Sequence, residues 1–383
     1  MTQTREPPVV KIIRIGMDTS KNVFQLHGVD EQEQPVLRKT VRRRDLVSFF
    51  AKLEPTKVGI EACGASHYWA RTLKQLGHEA VLLPPIYVKA YVKRGKNDKI
   101  DAEAICEAMS RPSMRTVSVK SIEQQAGQVL IGTREALLRR RTQVSNSIRG
   151  YASEFGLVAS KGLGHIEPLL VRVQEDKTMP SLAKEVFAML AGQFQHANAQ
   201  IKEIDAKLMA VHRTNELSRR LAQVPGLGPI GATAMAIKVT DPKVFRCGRD
   251  FAAWIGLTPK DHTTAGRKRR GVITKAGDEM LRSLLICGAT AVIQQAKKDR
   301  GKPSLWLSGL VKRKEPKLAA VALANKNARI AWKLIVSGER YNPKRNDSED
   351  AAREGRCAAL LGGSTTRPSL SSTTRERKLA MTA

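Results

Sequence analysis

Four carboxylates in the first third of the chain have the types and spacing to do chemistry. Asp18 closes the β-like run KIIRIGMD at 11–18, and Glu61 closes a second, TKVGIE at 56–61. Asp98 and Asp101 lie in KNDKIDAEA, which reads as the start of a helix, so their three-residue spacing sets both on one face. Two strand-end acids and two helix-face acids meet at one point only if the strands are neighbours and the helix packs across them. Like charges brought that close repel, so a converging set needs bound divalent cations. Oxygen-only donors suit Mg²⁺ or Mn²⁺, and two such ions about 3.5–4 Å apart are a typical arrangement for phosphoryl transfer on nucleic acid. Taken singly, each acid is equally an ordinary strand-end or helix-cap residue. Their order and context make the set.

A second chemical candidate sits far along the chain. The polar, basic loop 259–272 separates two apolar helical stretches, and in it Lys260, Arg267, Lys268, Arg269 and Arg270 frame two hydroxyls, Thr263 and Thr264. His262 precedes them and suits orienting a phosphate or proton transfer, though loop histidines more often only hydrogen-bond locally. Upstream, VPGLGPIGATAMAIKV (224–239) places Gly226 and Gly228 in a turn between helical stretches. Such a helix-hairpin-helix-like turn exposes backbone N–H groups to a phosphate, and a plain helix–helix turn needs glycine too. REALLRRRTQVSNSIRGYASEFG (134–156) adds Arg139, Arg140 and Arg141 as further nucleic-acid contacts.

Composition agrees. The 383 residues carry a formal charge of +30, from 66 Lys+Arg against 36 Asp+Glu, which points to a polyanionic partner. Aromatic content of 4% excludes base stacking as the main binding mode, so phosphate contacts should dominate. The five cysteines (Cys63, Cys106, Cys247, Cys287 and Cys357) are scattered without CxxC or Cys/His ligand spacing. They imply a reducing cytoplasm, no disulfide framework and no zinc site. The start MTQTREPPVV lacks a signal-peptide core, and no run reaches membrane-spanning length, so a cytoplasmic protein is expected.

The elements that must position these groups can be read from periodicity. KIIRIGMD, NVFQLHGV (22–29) and PVLRKTV (35–41) read as three successive strands, and RRDLVSFFAKL (43–53) as a helix. The strand TKVGIE, a helix over Ser66–Leu76, the strand EAVLLP (79–84) and the acidic helix follow. That order is ribonuclease-H-like, and its first and fourth strands sit side by side, bringing Asp18 to Glu61. A flavodoxin-like α/β domain fits less well, because three strands precede the first helix. His67 and Tyr68 follow Glu61 closely and are expected to line the acidic site, whereas Trp69, Trp254 and Trp332 read as core. From Ser121 the pattern is helical. SLAKE at Ser181 resembles a capping box, and Leu190, Phe194, Ala197, Ile201, Ile204, Leu208 and Val211 step as a heptad seam. That seam suits either an intramolecular hairpin with 134–156 or an intermolecular coiled coil. A last helix covers 318–339, and the region beyond Tyr341 reads as a disordered tail.

Six blocks, GMDTSKNVF, GIEACGASHYW, KNDKIDAEAI, VPGLGPIGATA, FAAWIGLTPKDHTTAGRKRRGVITKAGDEMLRSLL and VALANKNARIAWKLI, resemble in order and spacing the DEDD-type insertion-sequence transposases, the bridge-RNA-guided recombinases of bacterial mobile elements. The resemblance covers roughly residues 11–340. It implies an α/β plus α architecture: a RuvC-like domain over 1–115, a helical coiled-coil connector over 116–220, a mainly helical transposase domain over 221–340 and a tail over 341–383. It further implies an Asp18, Glu61, Asp98, Asp101 tetrad binding Mg²⁺ (or Mn²⁺), and a C-terminal hydroxyl that attacks a DNA phosphate to give a covalent phosphoester and a free 3′-hydroxyl. Implied partners are element-end and target DNA, a structured guide RNA and further copies of the chain, as a homodimer or homotetramer, in the bacterial cytoplasm at the nucleoid. Relatives carry serine in the loop after GLTP; counting from that motif aligns the nucleophile with Thr264, while Thr263 matches a serine of relatives with an HST-type loop and suits a phosphate-binding turn. Threonine is a usable alcohol, but its β-methyl restricts χ1 and crowds in-line attack. A threonine nucleophile and an inactive DNA/RNA-binding remnant both remain open, as does a RuvC-like Holliday-junction nuclease acting with water.

Overall fold

Alternation of residue type builds the first strand. In β1 (Arg14–Thr19), Ile15 and Met17 are fully buried on one face, leaving Arg14, Gly16 and Asp18 on the other. The computed structural model describes residues 11–93, 98–263, 270–298 and 303–343. These fall into two units, one reaching Leu208 and including 234–244, the other holding 209–233 and the residues from Phe245.

In the first unit β1, β2 (Val23–Val29) and β3 (Pro35–Arg42) form an antiparallel meander. Then come α1 (Leu46–Phe50), β4 (Lys57–Glu61), α2 (Ser66–Gln75), β5 (Glu79–Leu83), the short α3 (Pro85–Val88) and α4 (Asp98–Met109). The strand order is β3-β2-β1-β4-β5, with β4 parallel to both β1 and β5. The expected adjacency of first and fourth strands is therefore present. One face carries Ile15, Met17, Phe24, Val58 and Ile60 under Leu46, Phe50, Trp69 and Leu73 of α1 and α2. The helix expected over 43–53 is shorter than its periodicity suggested: a 3₁₀ turn at Arg43–Asp45 precedes the five-residue α1. The N–H groups of Lys52 and Leu53 bond three residues back, tightening the chain ahead of Pro55.

Beyond the sheet, α5 (Ile122–Glu154) starts at a reciprocal capping box between Ser121 and Gln124. It packs with α6 (Ile166–Glu175) and α7 (Ser181–Thr214) around Val144, Ile148, Ile166, Leu169, Val173, Phe187 and Phe194. Arg134 pairs with Asp205, and Arg141 Nη1 donates to Asn198 Oδ1 at 3.0 Å, so α5 and α7 lie antiparallel. Phe194, Ala197, Ile201 and Leu208 are buried along this contact. The seam packs within the chain against α5, as in the hairpin reading. The SLAKE cap is a correction: the N–H groups of Ala183 and Lys184 go to the Pro180 carbonyl, so Pro180 rather than Ser181 holds the cap position.

After α8 (Glu216–Leu221) and α9 (Pro229–Lys238), the second unit contains α10 (Gly248–Trp254), a hairpin of β6 (Pro259–Asp261) and β7 (Arg270–Ile273), α11 (Glu279–Lys297), α12 (Leu305–Arg313) and α13 (Pro316–Ser337). Buried alanines at 320, 324, 328 and 331 let α13 lie against α10 and α11. The segment 259–272, expected as a polar and basic loop, begins and ends in these two short strands. Within this unit, Trp254 is 37% exposed in a ring cluster with Phe245 and Phe251, and Trp332 is half-buried; Trp69, in the first unit, is core as expected. The expected tail lies outside the described residues from 344 onward. No described helix is long and apolar enough to cross a membrane.

Candidate active site

Two glycines set the distance between sheet and helix. Gly16 and Gly59 are register partners on β1 and β4, each two residues before an acid, Asp18 and Glu61. Both point to the face covered by α4. A Cβ on Gly16 would stand 2.1 Å from the Ala102 carbonyl and 2.5 Å from the Cys106 nitrogen; one on Gly59 would stand 2.7 Å from Met109 Sδ. The bare backbone therefore lets α4 rest directly on the sheet. The direction follows from the contacts, because Arg14 Nε donates to the Cys106 carbonyl while Ala102 lies over Gly16. Helix and strand run antiparallel. Four helical residues rise about 6 Å and two strand residues about 6.6 Å, so continuing from Ala102 to Asp98 follows the sheet from Gly16 to Asp18.

The charges report the convergence. Burial first, then the charges of Asp101 and Asp98, push the Asp18 carboxyl from 3.8 up to about 6; Glu61 adds to this and a hydrogen bond from the Thr19 backbone opposes it. Glu61 is likewise raised, by burial and then by Asp101. A shared field of carboxylates, Asp18, Glu61 and Asp101 half-buried and Asp98 exposed, suits a hard divalent cation in donor chemistry. Among the described residues no three Asp, Glu, His or Cys side chains form a finished metal cage.

Around the cluster, the loop after β4 is tied to the end of β1 by Cys63 Sγ and Thr19 Oγ1, 3.3 Å apart. Ser66, buried at the start of α2, gives its hydroxyl to the Cys63 carbonyl at 2.9 Å. His67 follows and is half-buried; its neighbour Tyr68 is 49% exposed, edge-on to Trp69.

The second candidate site is the β6–β7 hairpin. Buried Arg282 on α11 donates through Nη1 to the carbonyls of Ile255 at 2.9 Å and Ala276 at 3.0 Å, fastening both sides of its base. Gly256 and Gly277 have positive φ, and a Cβ on Gly277 would lie 1.8 Å from the Trp254 carbonyl. Lys260 and His262 are exposed, His262 lies across from Gly271, and the Thr263 hydroxyl donates to Asp261. Thr264, Arg267, Lys268 and Arg269 lie outside the described residues, as does the Arg270 side chain.

Residues 15–155 match the DEDD transposase domain, and residues 218–303 match the Transposase IS116/IS110/IS902 family. A putative transposase y4pF/y4sB of Sinorhizobium fredii is 59% identical over 88% of this chain and 87% of its own length. The chain belongs to this transposase family. A probable family 20 transposase of Pseudomonas aeruginosa is 45% identical over 87% of this chain and 100% of its own, and the transposase for insertion sequence element IS1111A of Coxiella burnetii is 38% identical over 85% and 90%. The protein is thus an insertion-sequence transposase, an enzyme that cleaves and rejoins DNA, and DNA is its partner. DEDD-type transposase domains generally use divalent metal ions.

The remaining basic residues of this transposase are placed as follows. Arg139 pairs with Glu135 one turn away, Arg140 is exposed beside a notch at Gly192 and His196, and Arg141 is engaged with Asn198. Gly226, at positive φ, is pressed against Gly288 of α11, where a Cβ on Gly288 would meet the Gly226 carbonyl at 1.7 Å; Gly228 is exposed with open space above it. Sequence reasoning missed Gly16, Gly59 and Arg282. The repeated Gly-x-acid ending of β1 and β4 was the available signal for the first two. For Arg282 there was none.

Proposed function

We propose that Asp18, Glu61, Asp98 and Asp101 are the metal-binding catalytic centre of this transposase, on a ribonuclease-H-like (RuvC-like) domain over about 1–115. A helical connector over 116–220 and a transposase domain over 221–340 follow in this reading. The observation that supports it most is the field at Asp18, which feels the charges of Asp101, Asp98 and Glu61 together. Mg²⁺ or Mn²⁺ bound there supplies Lewis acidity toward phosphate oxygens and an attacking hydroxyl. The chain's own part is positioning: β1 and β4 fix two carboxylates, and α4, seated on Gly16 and Gly59, fixes the other two.

Thr264 is the proposed nucleophile, with Thr263, His262, Lys260 and the basic residues 267–270 contacting the DNA backbone, joined by Arg139, Arg140, Arg141, Gly226 and Gly228. Its Oγ bonds to a DNA phosphorus, the bond from phosphorus to the 3′-oxygen breaks, and the hydroxyl proton ends on that oxygen. A structured RNA that selects donor and target, a dimeric or tetrameric assembly and action at the bacterial nucleoid complete the reading. The +30 charge supports polyanionic partners.

The test is incubation of the full-length protein, its co-purified RNA and labelled element-end DNA with Mg²⁺. A denaturation-resistant protein–DNA adduct that maps to Thr264 and disappears in Asp18→Ala supports the proposal. Metal-dependent nicking without an adduct replaces transesterification by hydrolysis, the Holliday-junction-nuclease reading. Binding without either outcome means an inactive copy.

A further inference from the structure

The register of the β1–β2–β3 meander carries the row of Asp18 out to the open edge of the sheet. Asp18 on β1 is the register partner of Gln25 on β2, and Gln25 is the partner of Thr40 on β3. Register partners share a face, so these three stand in one line on the side that α4 covers at Gly16. The Thr40 hydroxyl donates to Gln25 Oε1 at 2.8 Å. That bond aims the half-buried amide: its oxygen is turned to β3, and its NH₂ group, with two donors, is turned away from Thr40. The neighbour on that side is Asp18. Among the described residues no protein group accepts from those donors.

Beyond this row the edge strand is open and basic. Helix α4 packs on β1, β2 and β4, and the residues of β3 on its side, Arg38, Thr40 and Arg42, are all exposed. Contacts fix the two sides. Lys39 lies over the Phe49 ring of α1 at 4.9 Å, on the opposite face. Glu103 of α4, lowered chiefly by its hydrogen bond from Lys93, also feels the charge of Arg38. Arg38 and Arg42 thus flank Thr40 about 13 Å apart, and the Arg42 side chain has no hydrogen bond or ion pair among the described residues. An edge strand can carry charge of either sign simply to prevent strand pairing. Here the sign is uniform: Arg38, Lys39, Arg42, Arg43 and Arg44 run up to Asp45 with no acid among them.

We infer that the α4-side face of β3 is a track for the DNA strand that enters the carboxylate cluster, with Arg38 and Arg42 on backbone phosphates and the Gln25 amide donating to the phosphate oxygen next to Asp18. This rests on the carboxylates being where DNA is processed. The two arginines supply attraction that is ionic and independent of sequence. Gln25 supplies direction, and Thr40 sets its aim. A neutral donor suits the place beside Asp18, because a cation there would pair with the carboxylate and compete with a metal.

The test measures binding of labelled element-end duplex to the full-length protein in EDTA, so that cleavage plays no part. Arg42→Gln should reduce the slope of log K against log[salt] by about 0.9, and Arg42→Lys, which keeps the charge, should restore it. Lys39→Gln, on the opposite face of the same strand, should leave the slope unchanged. Gln25→Ala should weaken binding about tenfold, the loss of a hydrogen bond to a charged group, with the slope unaltered. Gln25→Glu keeps an acceptor for Thr40 but turns a carboxylate oxygen toward the phosphate, and should bind more weakly than Gln25→Ala. Thr40→Val should weaken binding in the wild type and add nothing in Gln25→Ala, because its effect runs through the amide. An unchanged slope in Arg42→Gln, an equal slope change in Lys39→Gln, or additive losses in Thr40→Val and Gln25→Ala overturn the inference. A slope change confined to the co-purified RNA, with DNA binding unaltered, gives the face to RNA and overturns it too. Should Asp18→Ala retain metal-dependent cleavage while these binding results hold, the tetrad fails and the DNA track stands.

Discussion

Substituting Gly16 by alanine disturbs the carboxylate cluster without touching a carboxylate. The added methyl would stand 2.1 Å from the Ala102 carbonyl oxygen and 2.5 Å from the Cys106 nitrogen, both backbone atoms of α4 that no rotamer change can move. A carbon–oxygen contact needs roughly 3.3 Å, so α4 must lift or slide by about 1 Å. Overpacking of this kind costs about 1–3 kcal/mol, and here it carries Asp98 and Asp101 away from Asp18 and Glu61. A displacement of about 1 Å in a catalytic constellation lowers rate roughly 100-fold. The assay compares strand cleavage and calorimetric unfolding of Gly16→Ala with Gly132→Ala, on α5, where an added Cβ meets nothing within 4 Å. Gly132→Ala should be neutral or slightly stabilising, by up to about 1 kcal/mol. Wild-type cleavage and melting in Gly16→Ala would refute the claim that the glycine pair seats α4.

Further outcomes follow from the same structure. Without divalent metal, Asp18→Asn should be more stable than wild type at pH 7.5. The folded carboxyl is raised from 3.8 to about 6, so its ionisation opposes folding above that range and the gain fades as pH falls from about 6 toward 3.8. The full shift is worth roughly 3 kcal/mol, and screening of a half-exposed group reduces it to about 1; urea midpoints at pH 7.5 and 4.5 check the sign. His67 runs the other way, its pKa lowered from 6.5 to about 4 by burial and then by Lys120 and Arg71. The unfolded state binds the extra proton in that window, so this contribution to stability is lost as pH falls from about 6.5 to 4, and the same denaturation series on His67→Asn should show a shallower acid decline. Arg282→Met removes both hydrogen bonds at the hairpin base and should lower stability by about 2–4 kcal/mol, with faster hydrogen exchange over 258–261 and 271–275. DNA affinity should fall with salt at a log–log slope of about −0.9 per phosphate neutralised, and a flat slope would mean the +30 charge is not the binding surface.

What was legible in the sequence was what alternation and strand-end chemistry encode. Ile15 and Met17 against Gly16 and Asp18 announce a strand and its two faces, and β4 repeats the pattern with Val58, Ile60 and Glu61. The hairpin of α5 and α7 was half legible: the seam stands out, but its partner depends on Arg134, Arg141, Asp205 and Asn198 meeting across the fold. Local periodicity overran at α1, where Pro55 closes the helix early, and at Ser181, where Pro180 takes the cap. The β6–β7 hairpin was hidden because its strands are three and four residues long and its base is fixed by Arg282, well outside the loop. Gly16 and Gly59 had meaning only once α4 was known to cross them. The same holds for His67, whose Nδ1 accepts from the backbone N–H of Lys120, 53 positions away.

The central claim is that the four carboxylates together hold the divalent metal on which DNA cleavage depends. Substituting Fe²⁺ for Mg²⁺ and adding peroxide and ascorbate generates hydroxyl radicals that cut the chain beside the bound ion. The account predicts cuts near Asp18, Glu61 and Asp98–Asp101, suppressed by excess Mg²⁺ and absent in Asp18→Asn. Cuts confined to other segments, or an unchanged pattern in Asp18→Asn, would contradict it.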